Sequence, residues 1–287
     1  MTIRMTTPDA RALTDVIGAL RVWQTEASPI QLHPGDVGWN VRFGEAETAA
    51  ALRVWSGDAG ILAVGLLDGA DLVRLTTAPE LRTDARLAGR LADDLDGILP
   101  EGTAAVEAPQ DAVLHDVLGA RGWRRGEAWT PLRRDLAEPV QPVALRVETI
   151  GPELAAARAE VHRAAFPNST FTAQRWGMMA AGAAYADARC LLGLDAQGTP
   201  VAAITVWSAG PGRPGLIEPM GVHPDHRGHR YGTEITVAGA AALRELGSSS
   251  AVVATPSANV GGVATYLAAG FEAQAERYDR TRPLPAR

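Results

Sequence analysis

The stretch from Leu216 to Gly232, LIEPMGVHPDHRGHRYG, constrains the fold most, because it joins a mostly apolar strand to a helix through a short polar loop. The following residues, Thr233 to Leu246, carry an apolar stripe at helical spacing. A helix leaves its first N–H donors unpaired and carries a partial positive charge at that end. The loop also contains two glycines and two arginines, which suit a phosphate that approaches the backbone closely. The sequence therefore predicts a loop that binds a pyrophosphate.

A second pattern follows further along the chain, in ANVGGVATYLAAGF. Asn259 precedes Tyr266 by seven residues, and Gly270 and Phe271 come next. Seven residues make about two helical turns, so Asn259 and Tyr266 are predicted to share one face of a helix. An aromatic packed under a sheet is the plainer interpretation of Tyr266 when it is taken alone.

Together, the two patterns resemble the GCN5-related N-acetyltransferase (GNAT) superfamily, whose acyl-CoA loop has the signature Arg/Gln-x-x-Gly-x-Gly/Ala. Arg227 and Gly232 fit the first and last positions of that signature. Arg230 stands where the middle glycine is usual, and its side chain is itself able to contact phosphate. The family also shows an Asn near a helix start, a Tyr two turns later and a Gly-Phe that enters a strand.

The order of predicted strands and helices is repeated in the two halves of the chain. The sequence therefore predicts an α/β fold (α+β, with a mixed sheet) built as two tandem GNAT-like domains. Each is expected to have a central, mostly antiparallel sheet flanked by helices. The predicted domains are residues 1–138 and 143–287, and the proline-containing segment at 137–142 is the predicted linker. A tandem arrangement with one degenerate half resembles the two-domain acetyltransferases of the mycothiol synthase type.

The N-terminal copy differs from the C-terminal copy at the positions that matter for a phosphate. When Pro79 to Leu87 is laid over Pro224 to Gly232, Arg82 matches Arg227. Thr83 and Leu87 replace the two glycines, and Asp84 adds a negative charge. In the later pattern, Asp111 matches Asn259 and Leu118 matches Tyr266. We therefore expect residues 1–138 not to bind acyl-CoA.

Periodicity and turn signals predict the remaining elements. In the N-terminal copy they are helices at 9–23, 84–98 and 110–120, a strand at 37–43, a hairpin of 61–67 with 71–76, and strands at 103–106 and from 123. In the C-terminal copy they are a strand at 143–148, helices at 152–165 and 171–181 (with Thr170 or Thr172 near the cap of the second), a hairpin of 190–194 with 200–207, and strands at 250–254 and from 271.

Pro219 and Gly221 predict a strand that bends away from its neighbour, because proline lacks an N–H group and avoids central strands. The family resemblance implies that the pantetheine arm of acetyl-CoA lies on such a splayed strand. It also implies direct attack by the amine. The residues implied to bind this co-substrate are Met220, Gly221, Val222, Arg227, Gly228, His229, Arg230, Tyr231, Gly232, Thr233 and Asn259.

Two side chains are predicted to be catalytic. Glu218 is the one carboxylate of the strand and a candidate base, directly or through water, although a solvent-facing role is the alternative. Tyr266 is implied by the resemblance to protonate the departing thiolate. The acceptor is expected near His162 to Trp176, between the halves or over the sheet, and the resemblance suggests a small-molecule amine such as an amino sugar. The aromatic residues of that segment fit a core role equally well.

Composition limits the other classes of function. The net charge of −6 gives no general attraction for nucleic acid or an anionic membrane. All 27 basic residues are arginine, which excludes a Schiff-base lysine and a Walker-type phosphate loop. A single cysteine, Cys190, and the lack of a signal-like or membrane-spanning run predict a cytoplasmic protein, as a monomer or homodimer.

Two other functions stay open at this stage. His223, Asp225, His226 and His229 are potential metal ligands within one loop, so a metal-dependent hydrolase is conceivable, although no metal is predicted. Alternatively, the chain binds acyl-CoA without catalysis and acts as a sensor or partner-binding module. The presence of both Tyr266 and Glu218 favours an enzyme.

Overall fold

The computed structural model describes residues 2–58 and 60–282, in which thirteen strands and nine α-helices are found. The strands are β1 Arg4–Thr6, β2 Leu52–Gly57, β3 Gly60–Leu67, β4 Leu72–Thr77, β5 Ala104–Glu107, β6 Arg124–Asp135, β7 Arg146–Thr149, β8 Ala188–Leu194, β9 Pro200–Trp207, β10 Gly215–Val222, β11 Ser250–Pro256, β12 Glu272–Ala273 and β13 Arg277–Arg282. The helices are α1 Leu13–Trp23, α2 Pro34–Asn40, α3 Glu45–Ala51, α4 Ala85–Ile98, α5 Leu114–Ala120, α6 Ala155–Ala165, α7 Ala173–Ala181, α8 Tyr231–Glu245 and α9 Val260–Ala268.

The strands of the described residues form a single mixed sheet, so the predicted mixed α/β architecture is confirmed. Its order is β1-β2-β3-β4-β5-β13-β6-β11-β10-β9-β8-β7, and β12 pairs with the side of β6. Most neighbours are antiparallel, and the parallel pairs are β4 with β5 and β10 with β11. The sequence did not predict that the sheets of the two copies would join into one.

Two strands cross between the halves at the centre of this sheet. β6 ends the N-terminal half (residues 2–138 as described) but pairs with β11 from the C-terminal half (143–282). In turn, β13 from the C-terminal half pairs with β5 of the N-terminal half, and β6 and β13 pair with each other. Each half therefore completes the sheet of the other.

The prediction of a strand at 37–43 is wrong, because this segment is helical. The ring of His33 accepts a hydrogen bond from the Gly35 N–H at 2.9 Å, and the Asp36 carboxylate accepts one from the His33 N–H at 2.6 Å. Together with Pro34 in the first turn, these bonds cap α2 at its start. Helix α3 and strands β1 and β2 were not predicted either.

The other predicted elements are present, with ends that differ by a few residues. The 110–120 helix is shorter than predicted and begins at Leu114, and the strand predicted from 271 is split into β12 and β13. Thr172 caps α7 by accepting the Arg175 N–H, as one of the two predicted alternatives. The 137–142 linker has no regular secondary structure.

One of three hydrophobic clusters among the described residues lies across both halves. Trp207 on β9 is buried beneath α2, and a Cβ atom placed on Gly35 or Gly38 would lie 2.5 Å from its side chain. The helix therefore approaches the tryptophan too closely for any larger residue at those two positions. Among the helices of the described residues, none is both long and apolar enough to cross a bilayer.

Candidate active site

Strand β10 separates from its neighbour β11 in the middle of the sheet. The two strands pair only at Gly215 and Leu216, and against β9 the register shifts between Ile217 and Met220. Pro219 lies within that shift, after a cis peptide bond. The Trp207 indole N–H donates to the Glu218 carbonyl at 2.8 Å, which satisfies one backbone group in the irregular segment. A gap therefore opens between β10 and β11 beyond Leu216.

The loop after β10 leads into α8 through two residues with left-handed backbone conformations. Gly228 has φ 84° and Arg230 has φ 65°. Arg230 is the N-cap of α8, and its side chain makes no capping hydrogen bond. The first-turn amides of α8 consequently have no partner within the helix, and an anion at this end is favoured by both hydrogen bonding and the helix dipole.

These features surround a surface cavity of about 560 Å³, here called the loop groove. The groove runs from the splayed part of β10, past the loop and the start of α8, to the first turn of α9. Its lining residues are Ala165, Phe166, Met220, Gly221, Val222, His226, Arg227, Gly228, Arg230, Tyr231, Gly232, Thr233, Asn259, Gly261, Gly262 and Thr265.

The structure thus brings together most of the residues expected at the co-substrate site. His229 is the exception, because it is exposed and does not line the groove, and its ring stacks on Tyr231 with 5.7 Å between centroids. Arg227 and Arg230 are also exposed, and neither forms an ion pair within residues 2–58 and 60–282. Their charges are available to a phosphate group.

Sequence reasoning missed the opposite wall of the groove. Ala165 and Phe166 end α6, and a Cβ atom on Gly221 would lie 2.6 Å from the Cβ of Ala165. Gly221 is thus required for the close approach of α6 to β10. Gly261 and Gly262 lie two and three residues after Asn259, and this glycine pair was a visible signal that a ligand approaches the start of α9. The Asn259 side chain accepts the Gly262 N–H at 3.1 Å and donates to Thr255 at 3.1 Å.

A second cavity, of about 370 Å³, adjoins the splayed strand and is here called the shared cavity. Phe166, Met220, Asn259 and Gly262 line both cavities, so the two are contiguous. The two halves of the chain and the crossing strand β13 all contribute to its wall. The charged and aromatic members of that wall are Asp68, Arg74, Glu107, Trp129, Phe166, Glu218, Tyr266, Arg277 and Asp279.

Both predicted catalytic side chains line the shared cavity. Burial raises the pKa of Glu218 to about 7, with Asp36 and Asp68 adding to the effect and Arg74 opposing it. Tyr266 is only 6% exposed, and burial together with the negative charge of Glu218 raises the pKa of its phenol above the ordinary value. At neutral pH, Glu218 is therefore poised to accept a proton and Tyr266 keeps its own.

A buried ion network supports the wall next to Glu218. Arg74 contacts Asp36 at 2.8 Å and Glu107 at 2.9 Å, and Arg277 contacts the other oxygen of Glu107 at 2.9 Å. Burial opposes ionisation of Glu107, but Arg277 and Arg74 outweigh it and lower the pKa of this carboxyl to about 2. The network links the N-terminal strands β4 and β5 to β13.

Comparison with known proteins identifies the fold of this site. The sequence profile of the Acetyltransferase (GNAT) family matches residues 153–271. Those residues belong to the GNAT family. This segment contains the whole loop groove, and GNAT domains support acyl-CoA-dependent N-acetyltransferase activity in general. No curated protein is similar enough in sequence to be matched to it.

Solved structures share the architecture over almost the whole chain. A GCN5-related N-acetyltransferase from Sphaerobacter thermophilus is 17% identical, with a TM-score of 0.59 over 98% of this chain and 95% of that one. A tandem GNAT protein from the clavulanic acid biosynthesis pathway is 20% identical, with a TM-score of 0.56 over 98% of each chain. A GNAT acetyltransferase from Colwellia psychrerythraea is 14% identical, with a TM-score of 0.59 over 98% of this chain and 99% of that one. These likenesses establish the fold.

The N-terminal counterpart of the GNAT loop is closed by its own side chains. Arg82 is 7% exposed and donates to Asp111 at 3.0 Å, Ser28 at 3.1 Å and Gln31 at 3.0 Å. The Asp84 carboxylate accepts the N–H groups of Arg86 and Leu87, both at 2.9 Å. The arginine and the first-turn amides that would hold a phosphate are thus already occupied.

The histidines of the GNAT loop do not form a metal site in the described part of the chain. His223 and His226 face each other with 5.4 Å between ring centroids, and His223 Nδ1 lies 3.9 Å from Asp225. However, no three His, Cys, Asp or Glu side chains among residues 2–58 and 60–282 converge on one point. The arrangement gives no support to the hydrolase alternative.

Proposed function

We propose that this protein is an acetyl-CoA-dependent N-acetyltransferase whose acceptor is a small-molecule primary amine. In this proposal, the domain of residues 143–287 carries the co-substrate site, and the domain of residues 1–138 is a degenerate copy that helps to enclose the acceptor. The comparisons support the tandem arrangement without singling out the mycothiol synthase type. The amine class is the one that the family resemblance suggests.

The observation that carries the proposal is the junction of the two cavities at Met220. The loop groove reaches this residue from the free amides of α8, and the shared cavity reaches it from Glu218 and Tyr266. A ligand with an anionic end and a reactive end fits the first cavity, and an acceptor fits the second. The reacting atoms would then meet beside the splayed part of β10.

The residues of the loop groove suit coenzyme A. The amides of Tyr231, Gly232 and Thr233, with the Arg227 and Arg230 side chains, would hold the diphosphate. The pantetheine arm would follow β10 in the gap that β11 leaves, where the backbone from Met220 to Val222 lines the groove. Backbone N–H groups there would also polarise the thioester carbonyl.

The catalytic roles follow from the two titratable groups of the shared cavity. Glu218 would take a proton from the ammonium form of the acceptor, and the neutral amine nitrogen would then form a bond to the carbonyl carbon. As the carbon–sulfur bond breaks, Tyr266 would donate its proton to the departing thiolate, and the phenolate would regain a proton from the nitrogen as the amide forms. Glu218 would then release the proton that it took from the ammonium group to solvent. The high pKa of the phenol keeps that proton in place until the sulfur becomes negative.

The test combines a binding titration with a turnover assay. Calorimetry with coenzyme A should show one site per chain, and Thr233→Glu should abolish binding, because it places a carboxylate at the phosphate-binding end of α8 without disfavouring the helix. The matched control is Thr83→Glu in the exposed N-terminal loop, which should bind coenzyme A like the wild type. Binding that is lost in the control instead would refute the assignment.

Turnover is then measured as thiol release from acetyl-CoA with amino sugars, polyamines, amino acids and simple amines. The proposal expects at least one amine to accelerate release well above the rate without acceptor. Tight binding of coenzyme A with no acceleration by any of them would favour a sensor or partner-binding module over an enzyme.

A further inference from the structure

Helix α2 of the N-terminal half is attached to the start of β10, the strand that carries Glu218. The N-cap residue of α2 is His33, whose ring Nδ1 accepts the Gly35 N–H at 2.9 Å. The ring proton therefore lies on Nε2, which donates to the carbonyl of Pro214, directly before β10, at 3.2 Å. Burial lowers the pKa of His33 to about 3, so the ring is neutral at neutral pH and keeps both contacts.

The same helix covers the indole of Trp207, the last residue of β9. A Cβ atom on Gly35 would lie 2.5 Å from the Cβ and Cγ atoms of this tryptophan, and one on Gly38 would lie 2.5 Å from its Cζ3 atom. The ring of Tyr185 also meets the indole edge-on, with 6.0 Å between centroids. Because Trp207 is only 1% exposed and the packing is this close, its indole cannot rotate unless α2 moves.

The indole N–H of Trp207 holds the irregular part of β10. Against β9, the pairing of β10 stops at Ile217 and resumes at Met220, and Glu218 and Pro219 lie within this register shift. The carbonyl of Glu218 accepts the indole N–H at 2.8 Å. A side chain therefore supplies the hydrogen bond that the neighbouring strand would supply in a regular ladder, at the residue that is proposed to be the base.

Helix α2 also contributes charge to the surroundings of the Glu218 carboxyl. Asp36, in the first turn of α2, is buried and contacts Arg74 at 2.8 Å. Burial is the main cause that raises the pKa of Glu218 to about 7, while Arg74 opposes the rise and Asp36 adds to it. The other charged or titratable groups that interact with this carboxyl are Asp68, Glu107, Arg42 and Tyr266. A displacement of Glu218 towards water would therefore lower its pKa.

We infer that Trp207 is a positioning residue for the proposed base, and that α2 of the degenerate half holds its indole in place. This inference rests on the proposed function and gives the N-terminal half a role beyond enclosing the acceptor. Trp207 lines neither cavity of the site, so it acts through the backbone of Glu218. Without its hydrogen bond, the carboxyl would leave the position from which it takes the proton. The amides of α8 that bind the diphosphate would be unaffected.

The first experiment removes the indole N–H and keeps the shape of the ring. Trp207 is replaced site-specifically by β-(3-benzothienyl)alanine, in which sulfur stands in place of the N–H group. Loss of one neutral hydrogen bond corresponds to about three- to tenfold in an equilibrium constant. We therefore expect kcat to fall by about three- to tenfold, with an unchanged affinity for coenzyme A. The inflection of kcat/KM that belongs to Glu218 should move to lower pH.

The matched control is the same replacement at Trp55. This tryptophan is fully buried in the N-terminal half, lines neither cavity, and donates its indole N–H to Asp94, also at 2.8 Å. The two replacements therefore remove hydrogen bonds of the same length from equally buried rings. The Trp55 protein should lose stability in chemical denaturation but keep the kcat and the pH profile of the wild type.

A second pair of variants tests the role of α2. Gly38→Ala places a methyl group against the indole and should lower kcat at least as much as the isostere, with unchanged affinity for coenzyme A. Its control is Gly18→Ala, because Gly18 is an exposed glycine of α1 in the same half, with nothing within 4 Å of an added Cβ atom. Wild-type kinetics in Gly38→Ala would remove α2 from the inference. The isostere decides the hydrogen bond by itself, however well Gly38→Ala folds.

The outcomes separate this inference from the proposed function. If the Trp207 isostere keeps the kcat and pH profile of the wild type, or if the Trp55 isostere is slowed equally, the positioning role is refuted while the acetyltransferase stands. If no amine releases thiol, the proposed function fails, and a titration of Glu218 decides the inference. The signal is the side-chain carboxyl in ¹³C NMR, assigned with Glu218→Gln. Its midpoint should move to lower pH in the Trp207 isostere but not in the Trp55 isostere, and equal midpoints would overturn the inference.

Discussion

The two strand–loop–helix connections, 79–87 in the N-terminal half and 224–232 in the C-terminal half, correspond in position and differ in what their arginines contact. Arg82 is buried in hydrogen bonds to Asp111, Ser28 and Gln31. Arg227 is exposed on the loop groove and has no ion pair in the described residues. The same residue type therefore joins elements together in one half and is left free for a ligand in the other.

The helix caps differ in the same sense. Asp84 satisfies the first amides of α4 with its own carboxylate, whereas Arg230 offers no side-chain cap to α8. Full capping stabilises a helix by about 1 kcal/mol, so the bare start of α8 sacrifices stability. A phosphate site of this kind needs helix amides that have no partner within the protein. In the N-terminal half, the side chain of Asp84 bonds to these amides, and the site is lost.

The largest expected effect concerns the tyrosine that the N-terminal half replaces by Leu118. Tyr266→Phe should lower kcat by about 10²–10⁴-fold, the usual contribution of general acid catalysis. The ring and its contact with Phe271, at 5.8 Å between centroids, would remain, so the affinity for coenzyme A should not change. Steady-state kinetics and calorimetry measure the two quantities separately.

Tyr278→Phe is the control for this prediction, because Tyr278 lies on β13 and its hydroxyl contacts Glu276 rather than either cavity of the site. Its kinetics should match those of the wild type. An unchanged kcat in Tyr266→Phe would remove Tyr266 from the chemistry and leave it a core residue like Leu118.

The next effect concerns Glu218 and the pH dependence of the reaction. Glu218 acts as a base only in its carboxylate form, and its pKa is raised to about 7. The value of kcat/KM for the wild type should therefore rise with pH through about 7. The pH profile of Glu218→Gln should lack this inflection. The variant should also be slower by about a hundredfold, near the lower end for general base catalysis, because water in the cavity can still accept the proton.

The measurement is a pH profile of kcat/KM for both proteins with the same amine. Deprotonation of the free amine at higher pH contributes a second inflection to both profiles and serves as an internal reference. An inflection near pH 7 that persists in Glu218→Gln would assign it to another group, and Glu218 would then be a wall residue.

The arginine comparison can be reversed by a matched pair of variants. Arg227→Ala should weaken coenzyme A binding by about tenfold and leave thermal stability unchanged, since it removes a charged contact to phosphate from an exposed loop. Arg82→Ala should destabilise the fold by about 2–3 kcal/mol, because it removes the hydrogen bonds that the buried guanidinium donates to Gln31 and Ser28. Its affinity for coenzyme A should be that of the wild type.

For both variants, calorimetry measures the affinity for coenzyme A and chemical denaturation measures the free energy of unfolding. If Arg82→Ala weakens coenzyme A binding while Arg227→Ala does not, the assignment of the active half is reversed. If both variants destabilise the fold equally, the difference between the two loops is not one of function.

The sequence predicted the parts of the fold that depend on local patterns. The strand, loop and helix from 215 to 245 and the Asn259 cap follow from apolar spacing and from glycine, proline and asparagine at fixed positions. Val37 to Phe43 was misjudged because alternation outweighed the cap signals of His33, Pro34 and Asp36. Strand-like alternation and helix-capping residues were both present in this segment, and the capping residues determined the structure that formed.

The remaining features depend on contacts between distant residues and could not be read locally. The crossing of β6 and β13 joins strands more than a hundred residues apart, and it alone brings Arg277 and Asp279 to Glu107. The shared cavity exists only because of that crossing. Glu218 and Tyr266 were predicted as candidates, but the wall that raises the pKa of Glu218 comes largely from the other half.

The smallest expected effect concerns Arg230, whose counterpart Ala85 lies inside α4. A non-glycine residue in the left-handed region costs about 1–2 kcal/mol, and glycine removes this cost. Glycine also raises the entropy of the unfolded chain, which costs about 0.5–1 kcal/mol of stability. Arg230→Gly should therefore stabilise the fold by roughly 0.5 kcal/mol. Arg230→Ala keeps the strain and should lie about 1 kcal/mol below Arg230→Gly.

Both Arg230 variants lose the same guanidinium group. The difference between their stabilities therefore measures the contribution of the backbone conformation. The change in coenzyme A affinity that they share measures the contribution of the side chain. That change should be a few-fold weakening, smaller than for Arg227→Ala, because the left-handed turn still presents the amides of α8. Ala85→Gly is the control in the other half, and it should destabilise by at most about 0.5–1 kcal/mol, because Ala85 is the first residue of α4 and glycine has a lower helix propensity than alanine. Equal stabilities of Arg230→Gly and Arg230→Ala would mean that the left-handed φ at this position carries no strain.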